Sequence, residues 1–209
     1  MSYLVDYEKR GKIIPAKHFV LLSQSPRRRQ LLSFLSPEIA SVEVDERGIE
    51  ATYMEKLKHL PFLERAARTC CEISKAKSAG KDDKETLYIS ADTMVVFNDR
   101  IYNKPKNQEE AREMFYSYFG HKHHVVTSVC LRTRDAIEVF YTIAEVSFVK
   151  YYPALQPVIE DYLSSRSPMD KAGAYGFQDL DPRFIDYVAG DIHTIIGLPV
   201  AEVSKRIYS

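Results

Sequence analysis

The sequence carries no surplus charge. Its 209 residues hold 29 basic and 29 acidic side chains, for a formal net charge of zero. Stable nucleic-acid binding or attachment to a membrane surface draws on a net positive field, so neither is expected. Cysteine is scarce and odd in number: Cys70, Cys71 and Cys130, two of them adjacent. Such a set does not make a secreted disulfide framework, and a reducing, cytoplasmic setting is expected. No apolar run approaches the roughly 20 residues that span a bilayer. The first residues, MSYLVDYEKRGKIIPAK, mix charges of both signs and lack the apolar centre of a secretion signal. Asp6 and Glu8 speak against a mitochondrial address. Residues 1–17 are read as a polar N-terminal extension ending at Pro15. There is no GxxxxGKS loop and no GxGxxG, so neither a P-loop nor a Rossmann site is supported. Internal repeats and low-complexity tracts are also absent.

What is present suits one domain, residues 18–209, with room for two lobes: 45% of the chain is hydrophobic and 28% charged. HFVLLS, from His18, reads as a buried strand, and IASVEVDE as a second one ending at Asp45-Glu46. Pro61 can open a long helix that closes near Gly80. TLYISADTMVVFNDRIYNKP reads as a strand and hairpin turning at Asn98-Asp99. Asn107 caps a helix that Gly120 ends. A long hairpin turns near Arg134-Asp135, and PVIEDYLSS forms a short helix. FIDYVAGDIHTIIG reads as another strand pair, turned at Ala189-Gly190-Asp191, and PVAEVSKRIY as a final helix. This order implies an α/β protein with a mixed, twisted sheet and flanking helices.

One stretch runs against ordinary helix electrostatics. In LLSQSPRRRQLLSFL, Ser25 can cap a helix and Pro26 suits its first position. Arg27, Arg28 and Arg29 then fall in the first turn, where the helix already carries about half a positive charge. Backbone N–H groups and guanidinium groups gathered there suit a phosphate, which Arg27 and Arg28 can each grip with two donors.

Other residues supply the rest of a phosphoryl-transfer site. Asp92, with Thr93 beside it, reads as a carboxylate at a strand end that holds Mg²⁺ or orients a water; its plain alternative is a turn residue satisfying backbone donors. Glu46 is a second acid at a strand end. Lys75 lies on a helix, and Lys104 follows the hairpin in NKP. Cations for phosphates and carboxylates for metal and water make up nucleotidyl chemistry. HKHH at His121 to His124 fits no standard zinc spacing. Cys70-Cys71 reads as partly buried helix packing. The glycine-rich MDKAGAYGFQDLD contains an amide, Gln178, that can read a base edge.

Together these motifs resemble the Maf family of nucleoside triphosphate pyrophosphatases from Phe19 onward. LLSQSPRRRQLL is similar to the family's S-x-S-P-R-R-x-x-L-L, ISADTMVV to its A-D-T, NKP to its K-P, and DKAGAYGFQ…GLPVAEV to its D-K-A-G-A-Y-x-I-Q-G and G-L-P. The resemblance implies two lobes around a deep cleft and hydrolysis of a nucleoside triphosphate to monophosphate and pyrophosphate. It also implies a divalent metal, Mg²⁺ or Mn²⁺, and the branch acting on dTTP and UTP, with modified pyrimidine nucleotides also in range. Carried over by position, Asp92 is the proton acceptor, and Ser23, Ser25, Arg27 and Arg28 form the phosphate loop. Glu46 serves metal or water, Lys75 and Lys104 bind phosphate, and Arg27, Thr93 and Gln178 set base preference. Asp92 or Glu46 takes the proton from water, the other binding metal; Asp92 is the favoured base. The chain departs from the pattern where Asp179 replaces the glycine after Gln178. A non-catalytic nucleotide-binding regulator linked to cell division is the alternative, and a homodimer is left open.

Overall fold

In the computed structural model, residues 3–209 are described apart from Pro15 and Arg166. The strands are β1 (Tyr3–Arg10), β2 (His18–Leu22), β3 (Glu38–Ala40), β4 (Thr86–Phe97), β5 (Arg100–Tyr102), β6 (Lys122–Arg132), β7 (Ile137–Phe148) and β8 (Ile185–Ala189). The helices are α1 (Pro26–Leu31), α2 (Glu46–Lys56), α3 (Phe62–Lys77), α4 (Gln108–Ser117), α5 (Gln156–Ser164), α6 (Ile192–Ile196) and α7 (Val200–Tyr208). One mixed sheet runs β1-β7-β6-β4-β2-β3, with β5 added to β4 and β8 to β7. Among the described strands β2 pairs in parallel with β3 and with β4, and the other strand pairs are antiparallel. This is the mixed α/β sheet with flanking helices that the element order implies.

Local chemistry sets several boundaries. Asn98 and Asp99 both take positive φ, 48° and 52°, as the two-residue turn before β5 requires. The Asn107 side chain accepts from Glu110 N and caps α4. Three readings change. IASVEVDE is strand only to Ala40; Asp45 instead caps α2, so Glu46 opens a helix and does not end a strand. The second half of FIDYVAGDIHTIIG is not a strand but α6, capped by Asp191 and closed by Gly197 at φ 118°. The polar extension is built into the sheet: β1 pairs antiparallel with β7, and Arg206 ties Asp6 to Glu138. Its expected end, Pro15, lies outside the described residues.

Strand alternation sorts the core into layers. The even-numbered residues of β4 and β6 and the odd ones of β7 face α3, giving a cluster of Met94, Val96, Val126, Cys130, Val139 and Tyr141 with Ala66, Cys70 and Ile73. The opposite face holds two clusters. Leu87, Ile89, Val129, Leu131 and Phe140 pack with Leu32, Val203 and Ile207. Further along the same strands, Val95, Phe97, Val125, Val146 and Phe148 pack with Phe115 and Ile159 of α4 and α5. Between these two clusters runs a row of threonines, Thr93, Thr127 and Thr142, in register across β4, β6 and β7. No helix among the described residues is long and apolar enough to cross a membrane.

Candidate active site

β4 is covered unevenly along one edge. β2 pairs with it as far as Ile89, and β5 begins at Val95. Ser90 to Met94 therefore have no strand partner on that side, and β2 ends there and turns through Ser23–Ser25 into α1. Open sheets commonly bind ligands where neighbouring strands diverge at their carboxyl ends. Residues from both faces of the sheet meet at this gap. Asp92 is thus in the middle of β4, beside an opening in the sheet, and not at a strand end.

Asp92 projects toward α3 and is 9% exposed. Its Oδ1 accepts from Lys77 Nζ at 2.9 Å, and its Oδ2 faces the Cys70 thiol at 3.5 Å. Lys77 also pairs with Glu46 Oε1 at 2.8 Å and donates to the Ala91 carbonyl at 3.3 Å. One buried ammonium thus joins the two carboxylates named from sequence. Burial disfavours charge on Lys77, but Asp92 and Glu46 more than offset it, so its pKa lies above the ordinary lysine value. The Glu46 side chain is half exposed.

Arg28 approaches from the other face. Its Nε donates to Gly197 O at 2.8 Å, Nη1 to Ala91 O at 2.8 Å and to Ser23 Oγ at 3.3 Å, and Nη2 to Thr93 Oγ1 at 3.0 Å. Most of its five donors are committed inside the protein, so it braces the gap and does not offer a two-donor grip on phosphate. Burial holds its pKa below the ordinary arginine value, partly offset by Asp92. Ser25 caps α1 through Arg28 N at 3.5 Å, and Ser23 Oγ accepts from Ser25 N at 3.2 Å. Arg27 makes no side-chain hydrogen bond or ion pair among the described residues, which leaves its donors for a ligand.

Hydrogen-bond direction settles what Thr93 can offer. Thr127 gives its only hydroxyl hydrogen to Thr194 O at 2.7 Å, so the 2.9 Å bond between Thr93 and Thr127 is donated by Thr93. Thr93 also accepts from Arg28. It has no hydrogen left for a base and can only accept.

The remaining candidates are spread around this cluster. Lys75 is turned away: it pairs with Glu8 of β1 at 2.5 Å. The lysine that reaches the carboxylates is Lys77, two positions on. The inward stripe of α3, Cys70, Ser74 and Lys77 at i, i+4 and i+7, is the sequence signal for it. Lys104 lines a cavity of about 450 Å³ with Arg47, Arg100 and Lys106 and with the carboxylates of Glu110 and Glu113. That cavity does not include Asp92. Gln178 is exposed in a short helical turn, and its neighbour Asp179 is held by Ser167 Oγ at 2.6 Å and Lys171 Nζ at 3.3 Å. Burial raises the Asp179 pKa, but these partners outweigh it and leave it below the usual carboxylate value. No side-chain contact among the described residues joins Lys104 or Gln178 to Asp92. Cys70 and Cys71 are fully buried, more deeply than their sequence suggests.

A mixed α/β sheet whose central strand opens onto a carboxylate–ammonium–carboxylate cluster, beside an arginine-rich helix start, defines an anion-handling α/β protein. A family model described as Maf-like protein matches residues 18–209, and the chain belongs to the Maf family. Similar proteins include a dTTP/UTP pyrophosphatase of Bacillus cytotoxicus, 32% identical over 193 residues that cover 91% of this chain and 94% of the relative. A dTTP/UTP pyrophosphatase of Bacillus velezensis is 33% identical over 191 residues, 91% and 95% of the two chains. One of Halalkalibacterium halodurans is 32% identical with the same coverage. Strand β1 lies outside the matched segment.

Proposed function

We propose that this protein hydrolyses nucleoside triphosphates, with dTTP, UTP or modified pyrimidine nucleotides as substrates, to the monophosphate and pyrophosphate in the cytoplasm. The observation that carries this reading is the pairing of Asp92 and Glu46 through Lys77 at the gap in β4, next to the uncommitted Arg27. The names of the relatives point the same way. A water oxygen bonds to the α-phosphorus, and the bond from that phosphorus to the bridging oxygen breaks. The bridging oxygen leaves with pyrophosphate. Asp92, whose orientation Lys77 fixes, takes the proton of the water, with Glu46 assisting. Arg27 holds phosphate oxygens, and Lys104 with its cationic neighbours suits the distal phosphates.

A divalent cation fits the donor set. Two hard carboxylates at an open mouth match Mg²⁺ or Mn²⁺, which take a few protein oxygens and complete their shell with water and phosphate. Among the described residues no group of three or more His, Cys, Asp or Glu is arranged to hold a metal; Asp92 and Glu46, which share Lys77 between them, are the two residues that would hold it. When bound, the metal supplies charge stabilisation at the phosphates and lowers the pKa of water.

Gln178 reads the base. Its amide offers a donor and an acceptor to the carbonyl–imide edge of uracil or thymine, and a mismatch leaves a polar group unpaired at about 1–3 kcal/mol. Thr93 contributes only an acceptor and acts mainly by holding Arg28. The test is kcat/KM for UTP, dTTP, CTP, ATP and GTP with pyrophosphate detection. UTP and dTTP lead in the wild type, and Gln178→Ala flattens the ranking. Equal values for all five bases, or an unchanged ranking in the variant, contradict this assignment.

A further inference from the structure

The Asp92 oxygen that Lys77 leaves alone is met by a thiol. Cys70 is completely buried on α3, seven residues before Lys77 and on the same inward stripe. Its Sγ lies 3.5 Å from Asp92 Oδ2. Ser128, directly opposite Asp92 on β6, fixes Cys70 in turn. The Ser128 hydroxyl donates to the Cys70 carbonyl at 2.7 Å, and its oxygen lies 3.2 Å from Sγ. Among the described residues two other acceptors lie near the thiol hydrogen, the Ser128 oxygen at 3.2 Å and Val126 O at 4.0 Å. A carboxylate is the stronger acceptor, since bonds to ionised groups are shorter and roughly twice as strong as neutral ones. Among the described residues the thiols of Cys71 and Cys130, buried in the same cluster, make no hydrogen bond to a carboxylate.

We propose that Cys70 is a positioning residue for Asp92, its S–H bonding Oδ2 while Lys77 bonds Oδ1. Two donors from one helix then hold the carboxylate at both oxygens and stop it turning about its Cβ–Cγ bond. An aliphatic side chain fills the same space but leaves Oδ2 without its donor. Outer-shell partners of this kind are typically worth 10–100-fold in activity. The kinetic consequence rests on the hydrolase reading above; the contact itself does not.

Two measurements on the full chain separate the two. The first is the infrared S–H stretching band of Cys70, assigned by its loss in Cys70→Ser. It lies below the Cys71 band in frequency and moves up in Asp92→Asn, where a neutral amide is a weaker acceptor. A band unmoved by Asp92→Asn overturns the proposal. The second is steady-state hydrolysis of dTTP with Mg²⁺, alongside thermal unfolding. Cys70→Val lowers kcat about 10-fold with KM nearly unchanged, and Cys70→Ser, which keeps a donor, recovers most of the loss. Equal kcat in the wild type and Cys70→Val, or a lowered unfolding midpoint as the only effect of both variants, overturns it. If Cys70→Val does not fold, the band decides. If the wild type releases no pyrophosphate from any triphosphate, the hydrolase reading falls while the band still decides on the contact.

Discussion

Arg27 and Arg28 are neighbours in the sequence with opposite duties, and replacing each by alanine separates them. Arg28 gives 2.8 Å hydrogen bonds to two carbonyls, Ala91 O on β4 and Gly197 O after α6, and further bonds to Thr93 and Ser23. Removing it strands two partly buried carbonyls. Each unsatisfied buried acceptor costs about 1–3 kcal/mol. Water can enter the open side of the site, so about 3 kcal/mol in total is a fair figure for Arg28→Ala. In a chain of this length 1 kcal/mol moves the unfolding midpoint by about 2–4 °C, so the expected fall is about 6–12 °C. Arg27 touches nothing comparable, and a surface substitution of this kind stays within about 0.5 kcal/mol. It also removes a cation from a helix start, which is slightly favourable. Arg27→Ala should therefore melt with the wild type and instead raise KM and lower kcat for triphosphates. Circular dichroism melts and dTTP kinetics on both variants make the test. Equal melting of the two, or a large loss of stability in Arg27→Ala with unchanged kinetics, refutes the division of labour.

Two further predictions concern buried ionisable groups. Burial pushes the His123 imidazole down to about 3 from its ordinary value of 6.5. The unfolded chain binds that proton first, so this contribution is complete above pH 6.5 and is lost progressively as pH falls toward 3; between pH 7 and 5 it should remove about 2 kcal/mol. Urea unfolding at the two pH values should show that loss diminished in His123→Gln, and an identical pH dependence in both proteins would contradict it. Lys77→Met keeps the apolar stem but leaves the Asp92 carboxylate buried without its ammonium. That should cost about 3 kcal/mol and most of kcat, and unchanged stability and turnover would remove Lys77 from the site.

Sequence legibility followed how local each feature is. The Ser25 and Asn107 caps and the Asn98-Asp99 turn are set by residues within three positions, and these stand as read. Helix α2 escaped because it buries no residue, so no apolar stripe marks it; Asp45 as its cap was the available signal. α6 escaped because Ile192, Thr194, Ile195 and Ile196 are β-branched, yet Asp191 and Gly197 close a helix around them and tertiary packing against β6 and β7 overrides the propensity. Asp92 and Glu46 were visible as chemistry but misplaced, since strand length and the gap in β4 depend on where β2 and β5 end. Lys75 and Lys77 lie on different faces of α3, since two positions along a helix turn a side chain by about 200°, and only Lys77 pairs with Asp92. The Arg28 bonds join segments up to 169 residues apart, and no local pattern encodes them.

Pyrophosphate release from dTTP and UTP with Mg²⁺, measured for the wild type and for Asp92→Asn, tests the central claim most directly. The variant removes the charge at nearly constant shape, and circular dichroism verifies that it folds. The expected result is turnover of both nucleotides to monophosphate and pyrophosphate by the wild type, and a rate at least ~100-fold lower in the variant. Near-normal turnover by Asp92→Asn, or release of orthophosphate in place of pyrophosphate by the wild type, would contradict the account.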